Sequence, residues 1–432
     1  MPKSGHVNTI LIMGSYAGQD SFGDKCLLRC VVAQLREAFG RDVRTVIDVQ
    51  ENHEEAMRII PDADFNLRIS QLFSNWFNRL RHLRAPFSFQ MLVAFLTFPF
   101  SLVTTRENRS ALADILRETK ACSCLYFYGG TQLSEPWFAI NIPPLFFMLA
   151  LCRIFGKPVY WGPQQYGPEK TWQRQCLKFI IRLFVTDIRA RNENCVRMLA
   201  LPESKLFYDE VFSCTVRYPL CPEHARPRSF VLINMRGSNF IRDATDAEFR
   251  AFAEILHALH GRLHLPFTLF QMSGASFCDD ERLKSFLDRN GYGSIPMEIL
   301  PPLEREHDFI ELAARAYGAV SMSFHGCVLS MVGGCPAVPV TSEKYYDYKY
   351  VDFDRYTGGQ NVPIISLRDP NPGHAADSVV SYFERYQPAR AAAARERAAA
   401  QIERWYLQIR DNSKNGAPIH ISREYETTNH WN

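Results

Sequence analysis

The sequence predicts an α/β protein of two doubly wound parallel-sheet domains facing across a cleft, followed by a C-terminal helix. Three observations lead there. Short apolar runs alternate with helix-period stretches, once from residue 7 and again from residue 229. The apolar runs end in loops rich in glycine and small polar residues. The chain has 432 residues, too many for one core and suited to two domains of roughly 200 residues each.

The elements follow in order. VNTILIM (7–13) is a buried strand, GSYAGQDSFGD (14–24) a loop, and KCLLRCVVAQLREAF (25–39) a helix that Gly40 ends. VRTVIDV (43–49) is the second strand. Residues 66–120 read as helical with an aromatic-rich middle. CLYFY (124–128) is a strand running into Gly129-Gly130, 144–155 a helix, and PVYW (158–161) a strand before the loop GPQQYGP. A helix over 171–183, a short strand over 184–186 and a helix over 187–201 complete the first pattern.

The second pattern has strands at 229–235, 266–272, 319–323 and 337–340, and helices at 246–259, 279–289, 306–317 and 326–332. The segment 212–228, rich in Pro, Cys and Arg, is the expected boundary. The domains are therefore 1–211 and 212–375. Residues 376–432 are left for a helix and a loosely ordered tail; RAAAARERAAAQIERWYLQI is a strong helix former that would reach both domains.

Composition excludes several classes. The net charge of +3 is small for this length, and the basic residues are dispersed without aromatic platforms, so nucleic acid is not expected as a partner. The 12 cysteines run from Cys26 to Cys335 without disulfide or zinc spacing. With no secretory leader apparent, they read as buried thiols of a cytoplasmic protein. No metal or cofactor is expected. Neither GxxxxGK[ST] nor GxGxxG falls where a kinase or dehydrogenase needs it.

RLRHLR (79–84) precedes an apolar stretch from Pro86 to Val103. It reads as a buried helix pair or lid, as a face resting on the inner surface of the plasma membrane, or as a span at the lower length limit.

Ligands of open α/β sheets sit beyond the carboxyl ends of the strands, and four loops there have suitable residues. The first carries Ser15, Asp20 and Asp24; the acids suit hydrogen bonds to sugar hydroxyls or proton transfer, though Asp24 equally suits a helix cap. The second is Gly129-Gly130-Thr131-Gln132, either a close backbone approach or a simple turn. In the third, Gln164 and Gln165 suit a carbohydrate. The fourth, SMSFHG (321–326), puts His325 at a helix start, in a loop rather than on a packed face. Arg236 follows the strand FVLINM, where its planar fork suits phosphate or carboxylate. Lys344 and Lys349 lie in TSEKYYDYKY.

Together these pieces resemble the polysaccharide pyruvyl transferase family over roughly residues 8–355. The likeness lies in GSYAGQDSFGDKCLL, the GG pair, GKPVYWGPQQYGP, TDIRARNENCVRML, INMRG and SFHGCVLSMVGGCPAVPV, in that order. The resemblance implies two Rossmann-like domains of glycosyltransferase-B-like form. It also implies transfer from phosphoenolpyruvate to a saccharide or lipid-linked saccharide, as a ketal across two hydroxyls. It makes Arg236, Ser323, Phe324, His325 and Lys349 donor-binding, and Lys344, in the same run after the strand PAVPV, is expected to join that anion pocket. Ser15, Asp20, Gly130, Gln164 and Gln165 would be acceptor-binding, and His325 or Asp24 the proton donor.

The family's Arg-Leu-His motif falls on Ser323, Phe324 and His325, so only the histidine is retained. Lys344, Lys349 or Arg315 is then the expected substitute for the arginine. The alternatives are a nucleotide-sugar glycosyltransferase and an inactive carbohydrate-binding scaffold.

Overall fold

The computed structural model describes residues 8–14, 21–48, 53–61, 63–80, 87–130, 133–134, 138–167, 170–219, 228–236, 244–272, 279–368 and 371–414. By their contacts the residues form two units. Unit 1 comprises Met1–Gln19, Leu27–Glu210 and Ile402–Asn432; unit 2 comprises Asp20–Cys26 and Val211–Gln401.

The first half of the chain contains β1 (Thr9–Met13), α1 (Phe22–Phe39), β2 (Arg44–Asp48), α2 (His53–Ile59), β3 (Asp64–Leu67), α3 (Ile69–Leu80), α4 (Phe87–Ser101), α5 (Arg106–Ala121), β4 (Cys124–Phe127), α6 (Phe138–Ile154), β5 (Val159–Gln164), α7 (Thr171–Phe184), β6 (Asp187–Ala190) and α8 (Glu193–Leu199). Its six strands are parallel in the order β3-β2-β1-β4-β5-β6. β1, β4 and β5 are buried at every position, as expected of strands covered on both faces.

The second half contains α9 (Cys214–Arg217), β7 (Val231–Asn234), α10 (Asp246–Leu263), β8 (Phe267–Leu269), α11 (Asp279–Arg289), β9 (Met297–Ile299), α12 (Glu306–Arg315), β10 (Gly318–Ser321), α13 (Phe324–Val332), β11 (Ala337–Thr341), α14 (Lys344–Lys349), β12 (Ile365–Ser366), α15 (Pro372–Arg385) and α16 (Pro388–Lys414). Its sheet is also parallel, in the order β12-β11-β10-β7-β8-β9. Both orders are those of a Rossmann sheet, whose strand order reverses once, between its first and fourth strands. The switch points are therefore β1/β4 in unit 1 and β7/β10 in unit 2.

Four local expectations are corrected. Residues 66–120 are not helical throughout, because β3 joins the edge of β2. The strand expected at 184–186 and the helix expected at 187–201 are replaced by β6 at Asp187–Ala190 and a helix beginning at Glu193. DIRA looks unlike a strand because Asp187 and Arg189 are charged, yet they pair within the fold. Arg189 reaches Asp187 at 2.5 Å and lies over the rings of Phe207 and Trp405, at 4.7 and 3.9 Å. The expected helix over 326–332 begins two residues earlier, at Phe324, which places His325 inside it. Gln164 closes β5 rather than standing in a loop.

Below the unit 1 sheet lies a buried polar knot. The hydroxyls of Tyr126 and Tyr406 both donate to Glu210 Oε1, and Trp405 Nε1 donates to Tyr126 Oη at 3.4 Å. Burial pushes the Glu210 carboxyl up to about 7, against the pull of the two tyrosines. Burial likewise pushes Asp48 up to about 7, although Ser70 donates to both of its oxygens.

Between the unfolded values near 4 and these folded values the native state holds more protons. Stability therefore falls as pH rises from about 4 to 7 and levels above that, by roughly 3–4 kcal/mol per group. A Glu210→Gln variant keeps the acceptor for both tyrosines and removes one of the two titrations. Its melting temperature is expected to fall less than that of the parent between pH 5 and 8. Parallel curves would show that Glu210 does not titrate there.

Candidate functional site

The residues singled out in unit 2 collect at the carboxyl edge of its sheet, on both sides of the switch point. Arg236 stands two residues beyond β7 and is half-buried. Ser323, Phe324 and His325 stand beyond β10. Asn234 fixes the two strand ends together: its Nδ2 donates to Phe270 O at 2.9 Å, and its Oδ1 lies 3.2 Å from Ser321 Oγ. Ser321 Oγ in turn accepts from Ser323 N at 3.0 Å.

Ser323 is the N-cap of α13, its hydroxyl accepting from Gly326 N at 3.4 Å. Where the family motif has an arginine, this chain has a side chain committed to starting a helix. Phe324 is buried in an aromatic cluster with Tyr350, Phe353 and Tyr356, at ring distances of 5.8, 6.1 and 6.2 Å. Arg236 is close enough to Tyr350 to oppose the upward push that burial gives that phenol.

His325 is the second residue of α13, half-buried and packed rather than standing free in a loop. Its partner surface is the first turn of α1, which belongs to unit 2 by its contacts. A Cβ placed on Gly23 would lie 2.4 Å from His325 Nδ1 and 2.6 Å from its Cβ and Cγ. Only glycine lets the imidazole sit there. The same turn is tied to β8 by Phe22 N donating to Met272 O at 3.0 Å, and Phe22 packs on Phe309. Asp24 is the next residue of that turn; its backbone N–H points at Ser21 Oγ, 3.4 Å away, and its side chain is half-buried. Both candidate proton carriers thus border Gly23: His325 packs against it and Asp24 follows it in the chain.

The lysines differ in placement. Lys344 opens α14 and is exposed; Lys349 is half-buried with its ammonium 5.0 Å from the Tyr346 ring. Both follow the carboxyl end of β11. Arg315 ends α12, just before the amino end of β10. It lies at the opposite end of that strand from Ser323 and is no substitute for the missing arginine.

Sequence reasoning missed three groups at this edge. The hydroxyls of Thr341 and Ser342, at the end of β11, are buried without a hydrogen-bond partner among the described residues. Buried hydroxyls are normally paired, so the two are candidates for a ligand contact. Asp280, beyond β8, is also buried. Burial raises its carboxyl, while the hydrogen bond from Gln271 Nε2 opposes the rise. Short hydroxyls and an acid at a helix start have no periodic signature that would have marked them. Among the described residues no three His, Cys, Asp or Glu side chains gather as a metal ion would require.

In unit 1, Gly14 and Gly130 flank the β1/β4 switch point, both with positive φ, at 99° and 150°. A Cβ on Gly129 would lie 2.4 Å from Pro163 O, and Gln165 N donates to Gly130 O at 3.0 Å. These contacts press the GG turn against the strand end that carries the two glutamines. Gln164 is fully buried and its carboxamide has no partner among the described residues, whereas Gln165 Oε1 accepts from Arg191 at 3.4 Å. Arg191 also pairs with Asp209 at 2.8 Å, both buried. Ser15, Asp20, Thr131 and Gln132 lie outside the described residues.

Comparison with known proteins bears on the fold and the family. No curated protein sequence matches the chain. Among solved structures, the S. aureus MnaA–UDP co-structure aligns at 11 % identity with a TM-score of 0.54, covering 93 % of this chain and 97 % of that one. A glycosyltransferase from Rickettsia africae aligns at 10 % identity and 0.53, covering 95 and 98 %. Anabaena HepE in complex with UDP and glucose aligns at 11 % and 0.52, covering 94 and 98 %. At such identities the likeness is one of fold alone, that of chains with two Rossmann-like units. The sequence profile of polysaccharide pyruvyl transferases matches residues 22–344, well over half the chain and spanning every unit 2 residue described above up to Lys344. The chain therefore belongs to the polysaccharide pyruvyl transferase family, whose members move a pyruvyl group from phosphoenolpyruvate to a hydroxyl pair of a polysaccharide or its precursor.

Proposed function

We propose that this chain carries out that transfer at the β7/β10 switch point of unit 2, with Arg236 and His325 as its principal groups. The observation that carries the reading is their placement: the two stand at adjacent strand ends where the strand order reverses, next to the strand end whose Thr341 and Ser342 hydroxyls have no partner among the described residues. Arg236 holds the donor's phosphate or carboxylate through its planar fork. Lys349 and Lys344 follow on the next strand end and supply the positive charge that Ser323 does not. The acceptor is a saccharide or a lipid-linked saccharide, read by Gln164, Gln165, Gly130, Ser15 and Asp20. A peripheral position on the inner face of the plasma membrane, with contact through 79–103, belongs to the same proposal.

In the reaction a proton from His325 or Asp24 is added to the methylene carbon of phosphoenolpyruvate, leaving an oxocarbenium-like centre. One sugar hydroxyl attacks the oxocarbenium carbon, the one that bears the phosphate oxygen, and its proton passes to the phosphate. Phosphate departs against the cationic groups. The second hydroxyl closes the ketal, and its proton restores the acid.

The test is a binding titration with phosphoenolpyruvate, beside UDP- and GDP-sugars, on the parent and on R236A. Saturable phosphoenolpyruvate binding, weakened roughly 10–100-fold by the loss of a charge-assisted contact, is expected. Binding of a nucleotide sugar with none of phosphoenolpyruvate would move the assignment to glycosyl transfer.

A further inference from the structure

Two helices of unit 1 turn apolar side chains outward. On α4, Phe89, Leu92, Leu96 and Phe100 recur at helical spacing and are 53–71 % exposed, while Met91, Ala94 and Phe98 face the core. α4 carries no charged residue in its whole length. On α7, Trp172, Phe179 and Leu183 form a second outward row, and Leu177, Ile180 and Ile181 face inward.

The rows are joined by half-buried rings. Phe95 of α4 meets Phe146 of α6 at 5.6 Å, and Phe146 meets Phe184 of α7 at 5.3 Å. Exposed apolar surface of this extent needs an explanation. Its chemistry is given by what lies next to it. Arg174, Lys178 and Arg182 follow one another at four-residue spacing along α7, and they sit close enough that the two arginines add to the burial that lowers the Lys178 ammonium. Three crowded cations beside exposed aromatic and aliphatic rows complement an anionic, apolar-cored surface.

We infer that the outer faces of α4 and α7 together form a docking surface for a bilayer rich in anionic phospholipid. The apolar rows enter the acyl boundary while the α7 cations meet head-group phosphates. No helix among the described residues is long and apolar enough to cross a membrane, and a surface-lying geometry needs none. This deepens the peripheral contact proposed above by adding α7, which the 79–103 segment does not include. It is independent of the transfer chemistry.

The experiment is vesicle co-sedimentation of the full chain without phosphoenolpyruvate, on phosphatidylcholine vesicles with and without phosphatidylglycerol. The parent is expected to bind the anionic vesicles and to be released by high salt. R174Q and R182Q should each weaken binding about 5-fold. L96D and F179D, at exposed positions that leave the fold intact, should weaken it more than 10-fold with unchanged melting temperature and unchanged phosphoenolpyruvate binding. Three results would overturn the inference: no binding of the parent at low salt, binding indifferent to anionic lipid, or a concentration-dependent dimer that L96D or F179D converts to monomer. Failure of phosphoenolpyruvate binding would instead count against the transfer reading and leave the vesicle result standing.

Discussion

An H325A variant is expected to lose roughly 10²–10⁴-fold in turnover, the usual worth of a positioned proton carrier. Its binding of phosphoenolpyruvate should stay within about tenfold if Arg236 holds the donor's anionic groups. The structure adds a second variant that approaches the same residue from the other side. Gly23 is a helical glycine, and alanine is the better helix former, so G23A has no backbone reason to fail. Its methyl would nevertheless fall 2.4–2.6 Å from three atoms of His325, including Cβ and Cγ, which no swing of the ring tip can clear. G23A is therefore expected to approach H325A in turnover while its melting temperature moves by only a few degrees. The measurement is phosphate released from phosphoenolpyruvate in the presence of acceptor. Full activity in G23A would show that the observed seat of His325 is not used in the reaction.

The largest effect on stability is expected at Arg191. Its guanidinium and the Asp209 carboxylate are paired at 2.8 Å with side-chain exposures of 2 and 0 %. Removing one member leaves the other charged and buried, which costs about 3–5 kcal/mol. For a unit of about 200 residues that corresponds to a loss of roughly 6–20 °C in melting temperature. R191M and D209L should each show it, and the double variant should recover much of the loss because no uncompensated charge remains. Additive losses in the double variant would mean that the two side chains act separately. Because Arg191 also donates to Gln165, R191M tests in addition whether Gln165 has a part in acceptor use.

The parts of the fold that could be read from the sequence were those where burial acts on both faces of a strand. ILIM, CLYF and VLIN are apolar at nearly every position because nothing but packing surrounds them. β6 was missed because its charges are satisfied from afar: Arg189 is seated by Trp405, more than two hundred residues later, and no local pattern encodes that. β9 is a three-residue edge strand with two exposed positions and lacks alternation. In the site, Arg236 and His325 stood out because each is a polar residue directly after an apolar run. Thr341 and Ser342 stand equally near but are small, and only the three-dimensional structure shows that their hydroxyls are buried and without a partner among the described residues. Ser323 gave the opposite difficulty: its identity was plain, but its use as a helix cap became visible only with α13 in place.

The polar knot around Glu210 has a consequence for the order in which the protein matures on the ribosome. Tyr406 and Trp405 complete the packing of a unit whose strands are all made before residue 191. About 200 residues separate Glu210 from Tyr406, and at 5–20 residues per second they take roughly 10–40 s to synthesise. During that interval the nascent N-terminal sheet lacks Trp405 and Tyr406 and leaves Glu210 without one of its two hydroxyl donors. Unit 2, whose residues end at Gln401, can close first. A chain stopped just short of residue 402 should therefore yield a native-like second half attached to a first half that recruits chaperones.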